Sequence, residues 1–195
     1  MYVLALVASS EARNLSELES IFENTLYRTI AGDTRFLRAS VESVIDQLEA
    51  WGMIRVRGGE LEATKLGRVT ALTYLDPLTT HRYIASTSGS AKRYTPLYYL
   101  HVVAYTPDYV RSRPYVSSKL VESLEEEALI LADQGLLPNP PQDPYEYSLW
   151  LEGYVHAKIL DAWINEVDED TIAELYGVGP GDIYSAKDTA AWIAS

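Results

Sequence analysis

Residues 53–63 constrain this chain more than any other stretch. They read Met53-Ile54-Arg55-Val56-Arg57, then Gly58-Gly59, then Glu60-Leu61-Glu62-Ala63. Side chains alternate on both sides of a two-residue glycine turn, which is the pattern of a β-hairpin. Everything before it has the helical period instead. Leu4, Leu6 and Val7 begin one stripe. Leu15, Leu18, Ile21, Phe22, Thr25 and Leu26 form a second, opened by Leu15-Ser16-Glu17-Leu18 and broken at Gly32-Asp33. Phe36, Leu37, Val41, Val44, Ile45, Leu48 and Trp51 form a third, which ends at Gly52. Three helices feeding a glycine-turn hairpin is the order of a winged helix. A further helix is expected over 66–74, ended by Asp76-Pro77.

The rest of the chain reads as helical. Gly89-Ser90 marks a joint near 86–93, so the expected domains are a winged helix over 1–85 and a helical domain over 86–195, mainly α overall. An apolar run over 98–105 is closed by Thr106-Pro107-Asp108. A helix over 118–134 turns Leu120, Leu124, Ala128 and Leu131 inward, with Glu125, Glu126 and Glu127 as its solvated face. After the proline-rich loop at 137–144, a long helix over 147–167 offers Trp150, Tyr154, Ala157, Leu160, Ala162, Trp163 and Ile164 for burial. Asp168 is placed to cap a short helix over 169–176. Gly177 to Gly181 then reads as a hairpin-like turn that launches a last helix carrying Trp192.

Composition narrows the function classes. With 195 residues the chain suits one large domain or two small ones, and 47% hydrophobic content argues against disorder. Cysteine is absent, so disulfides, thiol nucleophiles and thiolate metal sites are excluded. The only apolar stretch at the start, 2–8, is too short to cross a bilayer, and a cytoplasmic protein without a membrane partner is expected. Net charge is −12, and it is unevenly spread. Residues 1–85 carry 9 Lys/Arg against 11 Asp/Glu, whereas 86–195 carry 7 against 17. Contact with a polyanion must therefore use a local patch, stacking or a basic partner. Aromatic usage, 15 Tyr and 4 Trp to 2 Phe, favours rings with a polar handle, suited to core edges and to partner surfaces.

Catalytic motifs are missing. There is no phosphate loop of the G-x-x-x-x-G-K-[ST] type and no dinucleotide fingerprint after a strand. His81, His101 and His156 are scattered, and no Ser/His/Asp arrangement is indicated. If the winged helix meets duplex DNA, Arg35 and Arg38 on the third helix and Arg55 and Arg57 on the wing are the contacts. If it does not, these arginines are solvated or pair with Glu42, Glu49, Glu60 and Glu62. The turn at 175–181 either holds a phosphate at a helix N-terminus or is structural. Asp182 favours the structural reading, because its carboxylate already occupies the positive helix end.

Three stretches carry a family resemblance. The first is Ala63-Thr64-Lys65-Leu66-Gly67-Arg68 running into Tyr74-Leu75-Asp76-Pro77-Leu78-Thr79, and the second is Leu100-His101 with Tyr105-Thr106-Pro107-Asp108. The third and most specific runs from Asp161-Ala162-Trp163-Ile164-Asn165-Glu166 through Tyr176-Gly177-Val178-Gly179-Pro180-Gly181-Asp182 to Thr189-Ala190-Ala191-Trp192. Together they resemble the C-terminal part of archaeal Ski-two-like DNA helicases of superfamily two, relatives of the helicase domain of DNA polymerase theta. The resemblance implies a winged helix followed by part of a helical ratchet domain, cut soon after Trp192. It implies RecA-like motor domains and single-stranded DNA as partners, with ATP and magnesium bound by the motor and no cofactor in this segment. Trp192 then stacks on a base of the tracking strand. Ser185 stands where relatives often carry a basic strand contact, and Lys187 lies nearby on a different face. The implied role is accessory to an ATP-dependent 3′–5′ helicase of DNA repair and fork processing, inactive as an enzyme by itself. An independent winged-helix regulator or a docking adaptor is the alternative.

Overall fold

The computed structural model describes residues 1–25, 34–88 and 95–195, without the side chains of Thr34 and Arg35. Leu26, Gly32-Asp33, Gly89-Ser90 and the Arg35 side chain lie outside the described residues. The chain forms two compact units, Met1–Thr80 and His81–Ser195.

In the first unit, α1 (Tyr2–Ala8), α2 (Leu15–Glu23) and α3 (Thr34–Ala50) are followed by the antiparallel pair β1 (Ile54–Arg57) and β2 (Glu60–Ala63), then α4 (Lys65–Leu72). This is a winged-helix order with the expected hairpin. Gly58 and Gly59 turn with φ of 59° and 87°, as a two-residue turn that follows the strand twist requires. Asn14 caps α2 by accepting the Glu17 N–H at 2.9 Å, while the Glu17 carboxylate accepts the Arg13 N–H at 2.7 Å. The core joins Leu4, Leu18, Leu37, Ile45, Met53 and Ile54, with each buried aliphatic contributing about 1.5–3 kcal/mol. Both outer strand edges are closed, because Val56 N–H donates to the Glu49 carboxylate and Leu61 N–H donates to the Arg13 carbonyl.

Three expectations for this unit need correction. Helix α2 ends at Glu23, which leaves Thr25 exposed beyond it. Phe36 and Val44 lie at the edges of the α3 stripe and are exposed, not buried. Asp76-Pro77 starts a helix instead of ending one: α5 spans Pro77–Thr87, and Asp76 accepts the Leu78 N–H at 2.9 Å. A proline lacks only a donor that the first turn leaves unused, so it opens helices well.

The second unit also contains α6 (Pro96–Ala104), α7 (Pro107–Ser112), α8 (Ser118–Ser123), α9 (Glu125–Asp133), α10 (Pro144–Ile164), α11 (Glu169–Tyr176) and α12 (Pro180–Ala194). Helix α10 is central. It buries Trp150, Leu151, Tyr154, Val155, Ala157, Ile159 and Leu160, and Gly153 lets the α6 end approach, since a Cβ there would touch Tyr105 at 3.4 Å. Three of its four charged residues are tied outward: Glu146 to Arg82 at 2.7 Å, Glu152 to Arg113, and Lys158 to Glu127 at 2.8 Å.

Here too the structure departs from expectation. The acidic segment is two helices with a break at Leu124, so Glu125, Glu126 and Glu127 form the first turn of α9, where negative charge complements the helix dipole. Glu125 accepts the Tyr147 hydroxyl and Glu127 the Tyr154 hydroxyl, so two of the three are pinned, while Glu126 and Glu127 stay exposed as expected. Ile164, at the end of α10, is 57% exposed. Residues 177–181 are not a hairpin. Gly177 ends α11 at φ 67°, Gly179 caps α12, and Pro180 is its first residue. Asp168 caps α11, accepting the Thr171 N–H at 2.9 Å.

Two histidines are fully buried in the second unit. His101 donates from Nε2 to the Trp150 carbonyl at 2.8 Å, and His156 packs 5.5 Å from the Tyr109 ring with neither ring nitrogen hydrogen-bonded to a described residue. Burial holds both imidazoles neutral, with pKa values near 4 and 3.

This packing can be tested at two points. A Cβ on Gly67 would lie 2.0 Å from the Met53 carbonyl oxygen. Gly67→Ala is expected to cost about 1–3 kcal/mol in denaturant unfolding, whereas Gly181→Ala meets open space; similar midpoints for the two variants would disprove the close approach. The buried histidines bind protons more readily unfolded, so stability is present above about pH 6.5 and falls as pH drops toward 4. His156→Leu should flatten that fall in thermal melts, and an unchanged slope would show that His156 does not carry it.

Candidate nucleic-acid interface

Helix α12 is the element that presents Trp192. Its inner face, Ile183, Ala186 and Ile193, is buried against the unit, and this fixes the opposite face. Trp192 lies seven residues after Ser185, so the two share that outer face, with Asp188 and Thr189 between them. Trp192 is 40% exposed, Ser185 is exposed, and α12 continues beyond the tryptophan to Ala194. The outer face is held from the side by α7, where the Ser112 and Thr189 hydroxyls meet at 3.3 Å. No local pattern in the sequence signals this pairing, because the two residues stand 77 positions apart.

The N-terminus of α12 is closed to anions. The Asp182 carboxylate accepts the Gly179 N–H at 3.0 Å, as the structural reading of the glycine turn requires. Nearby, Glu166, Asp168, Glu169 and Asp170 line an acidic cavity of about 740 Å³, which repels phosphate further. Lys187 projects elsewhere. Its ammonium pairs with Asp188 at 2.7 Å and sits 5.6 Å from the Tyr184 ring centre, and it lines an apolar groove with Tyr99, Trp163 and Ala190. The outer surface of α12 therefore combines one half-exposed indole with the Ser185 and Thr189 hydroxyls and the exposed Asp188 carboxylate, which Lys187 pairs.

In the first unit, Arg38 is exposed on α3 and pairs with Glu42 at 3.0 Å and Glu19 at 3.3 Å. Arg55 and Arg57 are exposed on β1, in register with Glu62 and Glu60, and form no ion pair among the described residues. Among the described residues no group of three or more His, Cys, Asp or Glu is placed to hold a metal ion. Also among them, no helix is long and apolar enough to cross a membrane.

Comparison with known proteins identifies relatives of the chain. The family model for archaeal helicase domain 4 matches residues 97–195. The chain is 31% identical over 192 residues to the ATP-dependent DNA helicase Hel308 of Pyrococcus horikoshii, covering 98% of this chain and 26% of that protein. It is 32% identical over 197 residues to the Hel308 of Pyrobaculum calidifontis, covering 100% of this chain and 26% of the relative, and 29% identical over 199 residues to that of Methanocella arvoryzae. The chain thus spans about a quarter of the length of these relatives. The match runs through α6 to α12, the helices that build and hold the Trp192 face, and the chain belongs to the archaeal helicase domain 4 family.

Proposed function

We propose that this chain is the accessory segment, a winged helix and a helical ratchet domain, of an ATP-dependent 3′–5′ DNA helicase that serves DNA repair and fork processing. In this reading it scaffolds RecA-like motor domains and grips the single strand they move. ATP and magnesium belong to the motor. The observation that carries the reading is the half-exposed Trp192 on a helix anchored by Ile183, Ala186 and Ile193. The naming of its relatives as ATP-dependent DNA helicases supports it.

The chemistry suits the role. An indole face stacks on any base, contributing about 1–3 kcal/mol without reading sequence. Ser185, on the same face, supplies one neutral hydrogen bond toward the strand, where a cation would bind phosphate more tightly. Neutral contacts release easily, and a strand that must advance in steps needs contacts that let go. Arg55 and Arg57 are the wing cations open to a phosphate backbone, whereas Arg38 is engaged by carboxylates and Lys187 lies off the strand face.

Two measurements check the reading. In fluorescence anisotropy with an unstructured oligonucleotide, Trp192→Ala is expected to weaken binding roughly 5- to 100-fold, in line with about 1–3 kcal/mol of stacking. Trp192→Phe should retain most of the affinity, and the melting temperature should hold in both. Equal affinity of Trp192→Ala and the parent chain would rule out the grip, and a strong preference for one duplex sequence would point to a regulator instead. The chain alone is also expected to hydrolyse no ATP, with or without DNA; DNA-stimulated phosphate release from a pure preparation would refute the assignment of the motor to other domains.

A further inference from the structure

Arginines divide unequally between the two units. In the second, Arg82, Arg111 and Arg113 each pair with a carboxylate, Glu146, Asp108 and Glu152 respectively. In the first, Arg13, Arg55, Arg57 and Arg68 form no ion pair among the described residues, although the chain carries a net charge of −12. All four are exposed, so their guanidinium groups are open to a ligand.

Three of these four line one notch. It has a volume of about 360 Å³ and a floor of Val7, Leu61 and Ala63. Arg57 reaches its rim from the end of β1, Arg68 from α4, and Arg13 from the link between α1 and α2. That link is held against the hairpin by the 2.7 Å bond from Leu61 N–H to the Arg13 carbonyl and by the bridge between Asn14 and Glu60. Three separate elements thus bring three planar donors to one concavity on a rigid frame. Glu60 and Glu62 share the lining, so the local excess is one positive charge.

We infer that this notch is a second nucleic-acid contact, in which Arg13, Arg57 and Arg68 hold phosphodiester groups without reading bases. The site is distinct from the α3 surface that carries Arg38, and only Arg57 belongs to the wing pair expected from the sequence. A guanidinium fork matches two phosphate oxygens at once, and it cannot lose its charge at neutral pH. The carboxylates at the rim keep the site weak, which suits a backbone that must slide. The inference rests on the proposal that the chain acts on DNA, but it is independent of Trp192.

The test uses the full chain with Arg13→Gln and Arg68→Gln combined, titrated against a 20-base single strand and the corresponding duplex over a salt series. Binding should weaken toward at least one probe, with the slope of log K against log salt reduced by about 2, one for each phosphate no longer neutralised. The probe whose slope falls identifies whether the backbone is single or double stranded. Arg13→Lys with Arg68→Lys should keep most of the slope. Unchanged affinity and slope toward both probes would overturn the inference. So would a glutamine variant that binds both probes normally yet no longer docks on the motor domains, since the notch would then hold an acidic protein surface. If the glutamine variant fails to fold, Glu60→Gln with Glu62→Gln decides: tighter binding supports the site, and unchanged binding removes it. Weaker binding by Trp192→Ala with no change in the arginine variants would leave the strand grip standing and this site refuted.

Discussion

The second unit depends on the burial of one helix. A 21-residue helix such as α10 can place most of its surface in the core only if each polar group taken out of water finds a partner. The Trp150 indole N–H donates to the Pro138 carbonyl at 3.1 Å, and the Tyr147 and Tyr154 hydroxyls donate to Glu125 and Glu127. Glu146, Glu152 and Lys158 are each tied to a different neighbouring segment. These bonds fix the positions of α5, α7 and α9 around α10, and α12 packs onto the resulting frame. His156 is the exception: its ring nitrogens are bonded to no described residue, and it packs edge-on against the Tyr109 ring. A buried imidazole in that setting costs stability that an aliphatic side chain would not.

Charge follows from the same frame. Holding α10 in place uses Arg82 and Arg113 internally, and Arg111 pairs with Asp108 within α7, so each described arginine of the second unit has a carboxylate partner. In the proposed role the domain would meet a polyanion with few cations of its own to offer, so Coulomb attraction is a poor means of binding. Stacking serves better there, because it needs only an exposed ring. The first unit has the opposite character. Its core is almost purely aliphatic, its internal polar bonds are mostly caps and strand-edge closures, and most of its described arginines are left outward.

The local features were legible in the sequence because their causes are local. The glycine-turn hairpin, the end of α3 at Gly52 and the Asp168 cap each depend on a few adjacent residues, and each stands where the pattern put it. Errors arose where distant packing decides. An amphipathic stripe shows which way a helix faces but not how far its neighbours extend, so the pattern puts Phe36, Val44 and Ile164 in a core that stops short of them. Pro77 reads as a stop because the residue before a proline avoids helix, although the same ring favours the first position of the next one. The meeting of Arg13 with Arg68 is not legible, since nothing near them in sequence signals that the α1–α2 link lies along β2.

The proposed role of Trp192 is favoured by its place on a packed helix. On a loop, stacking would have to repay the ordering of the backbone, about 1–2 kcal/mol per residue, which consumes most of what one base contributes. On α12 that ordering is already accomplished by Ile183, Ala186 and Ile193, so nearly all the stacking energy remains available to the strand. The same anchoring sets the direction in which force is transmitted. Under the proposal, a base pulled against the indole would load α12, which contacts α7 through the Ser112–Thr189 hydroxyls and the rest of the unit through its buried face. A stacking surface that can release without breaking an ion pair, and that rests on a packed core, is what a strand moved by another domain would require.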